Sequence, residues 1–236
     1  MTPDEIDKIL AKAANQALSP SADRTAIERV ESAILNDLRP VRPLAPPWAF
    51  MLTFVALFAA FAAASASALG LHGIRVLNDG QRALIFPMLL AAAWLAAVAC
   101  TREMRPAAGS RLGALALIFT VVVFPVVFSL IFHDYSARNF VPEGIPCLVA
   151  GLCVAIPTGL VIAWILRRGF VLDWSMAGIA AGTLSGLAGL GMLELHCPNL
   201  KAIHVMVWHM AVVIVSGILG FTIGWIADSF RRRGAL

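Results

Sequence analysis

Charge is scarce in this chain, and what there is avoids the long apolar runs. Asp, Glu, Lys and Arg supply 14% of the residues against 60% hydrophobic, and mean hydropathy reaches +0.84. That balance excludes an ordinary soluble globular domain. The marks of catalysis are missing as well: no HExxH, no GxSxG and no Gly-rich phosphate loop occurs, so the chain is not expected to be an enzyme. Ionisable side chains are nearly absent from the middle of the apolar runs, Glu194 and His209 lying toward their ends. A transporter or channel places such groups at mid-membrane, and no inverted repeat of broken helices is evident. No cofactor, small-molecule substrate or direct nucleic-acid contact is expected. Cysteine is sparse too, with four in 236 residues.

What is present is apolar length. Six stretches are long enough to cross a bilayer at roughly 20 residues each: Trp48–Leu71, Ala83–Cys100, Leu112–Phe132, Cys147–Leu166, Trp174–Leu195 and Ile203–Ala227. Backbone polar groups in lipid must pair internally, and these stretches lack the alternation of barrel strands, so they are read as helices. The fold class is all-α: a polytopic six-helix transmembrane bundle over 48–227, preceded by a short cytoplasmic helical segment (1–47) and followed by a basic tail (228–236). Orientation follows from the loops. The breaks after spans two and four, with the tail, hold eight arginines (Arg102, Arg105, Arg111, Arg167, Arg168, Arg231, Arg232, Arg233). The breaks after spans one, three and five hold four bases (Arg75, Arg82, Arg138, Lys201). Both termini are therefore expected in the cytoplasm. About 47 mostly polar residues precede the first apolar run, so no cleavable signal peptide is expected.

Residues 1–47 differ in kind, carrying seven of the fourteen acids. Thr2-Pro3-Asp4-Glu5 predicts a capping box with proline at the first helical position. Ile6, Ile9, Leu10, Ala13 and Ala17 then line one face. After the break at Ser19-Pro20-Ser21, Ile27, Val30, Ile34 and Leu38 form a second stripe, ended by the proline-rich run from Arg39 to Pro47. Two such helices bury too little to stand alone. Surface-seeking membrane helices are rich in Lys and Arg, whereas this segment is slightly acidic, which favours a helix-in-groove contact with a basic cytoplasmic protein.

In the fifth span Gly178, Gly182 and Gly186 make a small-residue ridge, and Gly220 and Gly224 repeat the spacing in the sixth; both predict tight helix packing within the chain. Pro87, Pro125 and Pro157 would kink spans two to four. Cys100 and Cys153 are expected to pack as small apolar residues. Cys147 and Cys197 reach the outer interface, an oxidising space where disulfides persist, and so could report outside conditions inward. All five histidines (His72, His133, His196, His204, His209) fall on that same side. Thiolates with imidazoles suit zinc, copper or cadmium-type ions, with Cys147, His196, Cys197 and His204 as candidates, although the spacing matches no standard zinc motif. Disulfide, metal thiolate and free thiol all stay open.

Taken in order, several segments resemble one family. They are Asp37-Leu38-Arg39-Pro40-Val41-Arg42 before span one, a cysteine at the start of span four, Arg167-Arg168-Gly169, the small-residue fifth span, and Leu195-His196-Cys197-Pro198-Asn199 followed by Trp208. The last span is glycine-rich with a basic tail. The chain resembles the NrsF-type anti-sigma factors, negative regulators of sigma F, six-span proteins of the bacterial inner membrane. The resemblance implies that the N-terminal segment sequesters an extracytoplasmic-function sigma factor. It also implies that outward cysteines matching Cys147 and Cys197 sense oxidants or heavy metals. The competing readings are a small transporter or permease-like component and a structural membrane protein without a sigma partner.

Overall fold

The computed structural model describes residues 5, 7–9, 11–12, 31–33, 35, 45–105 and 111–233. The chain divides into two units, Met1–Leu44 and Ala45–Leu236. In the first, the described residues are helical and exposed, Ile9 among them. Ile6, Leu10, Ile27, Val30, Ile34 and Leu38, and most of the expected capping box, lie outside the described residues.

The second unit contains α1 (Pro47–Leu69), α2 (Gly73–Val76), α3 (Asp79–Glu103), α4 (Leu112–Ile131), α5 (Phe140–Leu166), α6 (Trp174–His196), α7 (Ala202–His204), a π-helical turn (Val205–His209) and α8 (Met210–Arg233). Among the described residues, six helices are long and apolar enough to span a membrane, the last running from α7 through α8. The described residues contain no strand, and the all-α six-helix reading is borne out.

Two spans begin earlier than their hydropathy suggests. Asn78 and Gln81 form a capping box: the Asn78 side chain accepts from the Gln81 N–H at 2.8 Å, and the Gln81 side chain accepts from the Asn78 N–H at 3.0 Å. With two end donors satisfied, the polar run Asp79–Arg82 joins α3. Helix α5 starts at Phe140, after Asn139 in the left-handed region at φ 56°, and tolerates Pro142 because the first turn has no N–H acceptor to lose. Cys147 is therefore two turns inside α5 rather than at its start.

Successive spans run up and down, so the starts of α1, α4 and α6 and the ends of α3, α5 and α8 share what we term the arginine end. There the Phe170 N–H donates to the Met104 carbonyl at 2.9 Å, Arg231 Nη1 donates to the Val171 carbonyl at 3.2 Å, and the Arg168 guanidinium lies 3.9 Å from the Trp164 ring centroid. The other, cysteine end carries α2, α7 and the π turn.

Helix α6 occupies the centre, packing against α1, α3, α4, α5 and α8. Its membrane-length window is 89% buried against 22–44% for the other five, although its hydropathy of 1.5 is the lowest. In lipid no hydrophobic force separates core from surface, so close approach decides, and the smallest side chains take the middle. A Cβ on Gly178 or Gly182 would run into the carbonyl of Gly220 or Ser216, and one on Gly186 would come 2.7 Å from Val213 Cα; a Cβ on Gly220 or Gly224 would meet the carbonyl of Gly178 or Trp174. The ridges thus interlock α6 with α8. On α4, Phe124 and Phe128 turn inward, while Leu115, Ile118, Val122, Val126 and Leu130 expose the opposite stripe, a surface suited to acyl chains.

Candidate functional site

At the cysteine end the α6–α7 loop folds back onto α5. Cys197 caps α6, its N–H donating to the Leu193 carbonyl at 2.7 Å, and Pro198 follows where a helical N–H would be needed. Beyond it, Asn199 Oδ1 accepts from the Lys201 N–H at 3.1 Å, while Asn199 Nδ2 donates to Glu143 Oε2 at 2.8 Å. Lys201 Nζ donates to the same carboxylate oxygen and to the Arg138 carbonyl, each at 2.9 Å. Glu143 stands one helical turn before Cys147, so this clasp fixes the loop beside that cysteine. The two sulfurs lie 3.6 Å apart as free thiols.

Two imidazoles complete the group. Cys197 Sγ lies 3.7 Å from His204 Nε2, and the rings of His204 and His209 meet edge to face, centroids 5.2 Å apart. Residues five apart on an α-helix stand about 140° apart around its axis. The π turn at Val205–His209 alters that register and brings the two rings together. His209 Nδ1 is 2.8 Å from Glu194 Oε1, both groups almost fully buried. One ligand-capable atom from each of Cys147, Cys197, His204 and His209 lies within 4.8 Å of the others. Cys197, His204 and His209 are buried and Cys147 is half-buried. His204 Nδ1 and His209 Nε2 are buried without a hydrogen-bond partner. The Cys197 thiol is pushed above its ordinary pKa by its hydrogen bond with Cys147 and by burial, against the opposing pull of His204 and His209, so it stays protonated near neutral pH.

The remaining sulfur and imidazole groups stand elsewhere. His196 Nδ1 is 2.8 Å from the Gly70 carbonyl and its ring packs against His72, centroids 5.8 Å apart; it is outside the four-residue group, and His209 stands in its place. Cys100 is buried as a packing residue, whereas Cys153, expected to pack likewise, is exposed on the outer side of α5. Glu194 drew notice in the sequence only as an acid near a span end. Neither the acid's pairing with His209 nor that histidine's membership has a sequence signal, because both depend on the π turn.

The family model described as negative regulator of sigma F (NrsF) matches residues 35–227, more than four-fifths of the chain. The chain belongs to the NrsF family. The resemblance read from its sequence is thereby borne out, and with it a place among negative regulators of sigma F, anti-sigma factors with multi-pass membrane helices. The NrsF match takes in five whole spans, the sixth as far as residue 227, and both members of the thiol pair, while residues 1–34 precede it. No curated protein and no solved structure matches the chain.

Proposed function

We propose that this NrsF chain holds an extracytoplasmic-function sigma factor through cytoplasmic residues 1–47. It releases the sigma factor when Cys147 and Cys197, on the periplasmic side of the bacterial inner membrane, meet an oxidant or a heavy metal. The observation that carries this reading is the pair of free thiols 3.6 Å apart, set at the end of the bundle away from Pro47, where the N-terminal segment joins it. The arginine excess at the Pro47 end supports a cytoplasmic location for that end.

Joining the sulfurs as a disulfide would pass two protons and two electrons to the oxidant and draw them from 3.6 Å to about 2.05 Å. Helix α5 and the α6–α7 loop must then move together. Because α6 packs against all the other spans, a shift at its end reaches α1 and the segment before it. A tenfold change in sigma affinity needs only about 1.4 kcal/mol.

Detergent-solubilised protein should co-purify with a stoichiometric sigma factor, and deletion of residues 1–38 should abolish that complex and raise transcription of the regulon. Unchanged transcription after the deletion overturns the binding role. Cells carrying Cys147→Ser with Cys197→Ser should keep the sigma factor bound under oxidant or metal stress; normal release in them overturns the sensing role.

A further inference from the structure

We propose that Cys147, Cys197, His204 and His209 form a Cys2His2 site for a tetrahedral divalent ion of zinc type, with Glu194 as the carboxylate that orients His209. The distances match the ion rather than a random meeting of side chains. Zinc–sulfur bonds of about 2.3 Å and zinc–nitrogen bonds of about 2.0 Å at tetrahedral angles put sulfur about 3.8 Å from sulfur and about 3.5 Å from nitrogen. The protein holds Sγ to Sγ at 3.6 Å and Sγ to Nε2 at 3.7 Å. All four donors fall within 4.8 Å of one another, so the widest-set pair need close by only about 1 Å to share one ion.

Three further observations point the same way. His209 Nδ1 is engaged by Glu194 at 2.8 Å, which leaves Nε2 as its available nitrogen. A carboxylate on the far nitrogen of a ligating imidazole is the usual outer-shell support of zinc sites. That Nε2 is itself buried and without a partner, a costly state for a polar atom unless something binds it. The backbone is bent to purpose as well, since the π turn brings together two imidazoles that an α-helix would separate. Two thiolates with two imidazoles form a borderline-soft set that suits zinc and rejects magnesium or calcium. Half-exposed Cys147 supplies the way in. On loading, each thiol gives its proton to solvent as its sulfur–zinc bond forms, so one Zn2+ releases two protons.

This deepens the sensing reading of Cys147 and Cys197 and rests on it for any part in signalling. Binding is measured on purified protein and sigma release in cells, so each can fail without the other. The full chain, stripped of metal and reduced, is titrated with Zn2+ against a chromophoric chelator, with proton release recorded in weak buffer. Co2+ replaces Zn2+ in a parallel titration. One equivalent should bind, two protons should leave, and Co2+ should give the intense visible bands of tetrahedral geometry with a thiolate-to-metal band in the near ultraviolet. Cys147→Ser and His209→Gln should each remove the tetrahedral Co2+ spectrum. Glu194→Gln should keep one-to-one stoichiometry and weaken binding about 10–100-fold. His196→Gln, outside the group, should bind like the parent. Cys147→Ser alters a half-exposed position, so it keeps the test valid should the buried Glu194→Gln protein fail to fold. Absence of Zn2+ uptake by the parent overturns the proposal. So does undiminished affinity in a His204→Gln, His209→Gln double variant. If binding holds while His209→Gln cells release the sigma factor normally, the site stands and its part in sensing falls.

Discussion

A single methyl group separates the tolerant from the intolerant positions of α6. A Cβ at Gly178 would overlap the Gly220 carbonyl, whereas one at Gly191 would sit 3.5 Å from the nearest atom, Ala62 Cβ. Backbone cannot yield as a side-chain tip can, so Gly178→Ala should cost about 1–3 kcal/mol by overpacking, and Gly191→Ala should stay within about 0.5 kcal/mol of the parent. Thermal unfolding of the two purified variants in one detergent separates them; equal midpoints would show that the α6–α8 contact can yield to a methyl group. The same scale divides the four cysteines. Up-and-down topology places Cys147 and Cys197 at one end from sequence alone. That they touch depends on the Glu143 clasp, a long-range contact with no local signature. The exposed position of Cys153 was equally hidden, because which face of an apolar helix meets lipid is set by its neighbours and not by its own hydropathy.

Between residue and molecule stands the π turn. Removing the exposed Val207 would leave the two histidines four apart, about 40° around an α-helix, and so keep both imidazoles on one face without the π turn. The variant should still insert and purify, since the apolar length of the last span barely changes, and its Co2+ spectrum should keep its tetrahedral character; loss of that spectrum would show that the site needs the π turn itself. The clasp works at this scale too. Two donors, Asn199 Nδ2 and Lys201 Nζ, converge on Glu143 Oε2, yet a single partly exposed ion pair is worth up to about 1 kcal/mol. Glu143→Ala should therefore slow disulfide formation between Cys147 and Cys197 about fivefold, read by mass-tagging after a pulse of oxidant; an unchanged rate would mean that helix packing alone holds the sulfurs together. Elements were the most legible level of the sequence. All six spans were evident from apolar length, and the boundaries that moved did so for stated reasons: a capping box at Asn78, and a left-handed Asn139 before a first turn that accepts Pro142. The π turn was illegible, because nothing in Val205-Met206-Val207-Trp208-His209 separates it from ordinary helix.

Taken whole, the molecule joins its two ends through one helix. A ligand that binds only the folded state stabilises it by about 2.7 kcal/mol at a concentration a hundredfold above its Kd. Zn2+ at that excess should raise the unfolding midpoint of the reduced parent and leave Cys147→Ser unmoved; an equal rise in both would place the metal elsewhere. A membrane-impermeant thiol reagent applied to intact cells tests topology at the same scale, because it should label Cys147 and spare Cys100, which is buried at the arginine end. The membrane domain was legible as a class and a helix count. The central place of α6 was half legible: its glycines announced close packing, but not that five helices would share it.

That central place also bears on how the protein is made. Spans leave the ribosome in order, and α6 is the fifth of six, behind four helices whose outward faces are already content in lipid. It is the least apolar of them all, with a hydropathy of 1.5, and the one whose neighbours are nearly all protein. A nascent chain halted before Trp174 holds four helices with no axle to assemble around, and they become a bundle only when a glycine-rich segment, poorly suited to face lipid, arrives to be enclosed. The last step of synthesis, adding α8 to that segment's exposed ridge, is then also the step that first brings His204 and His209 to the two cysteines.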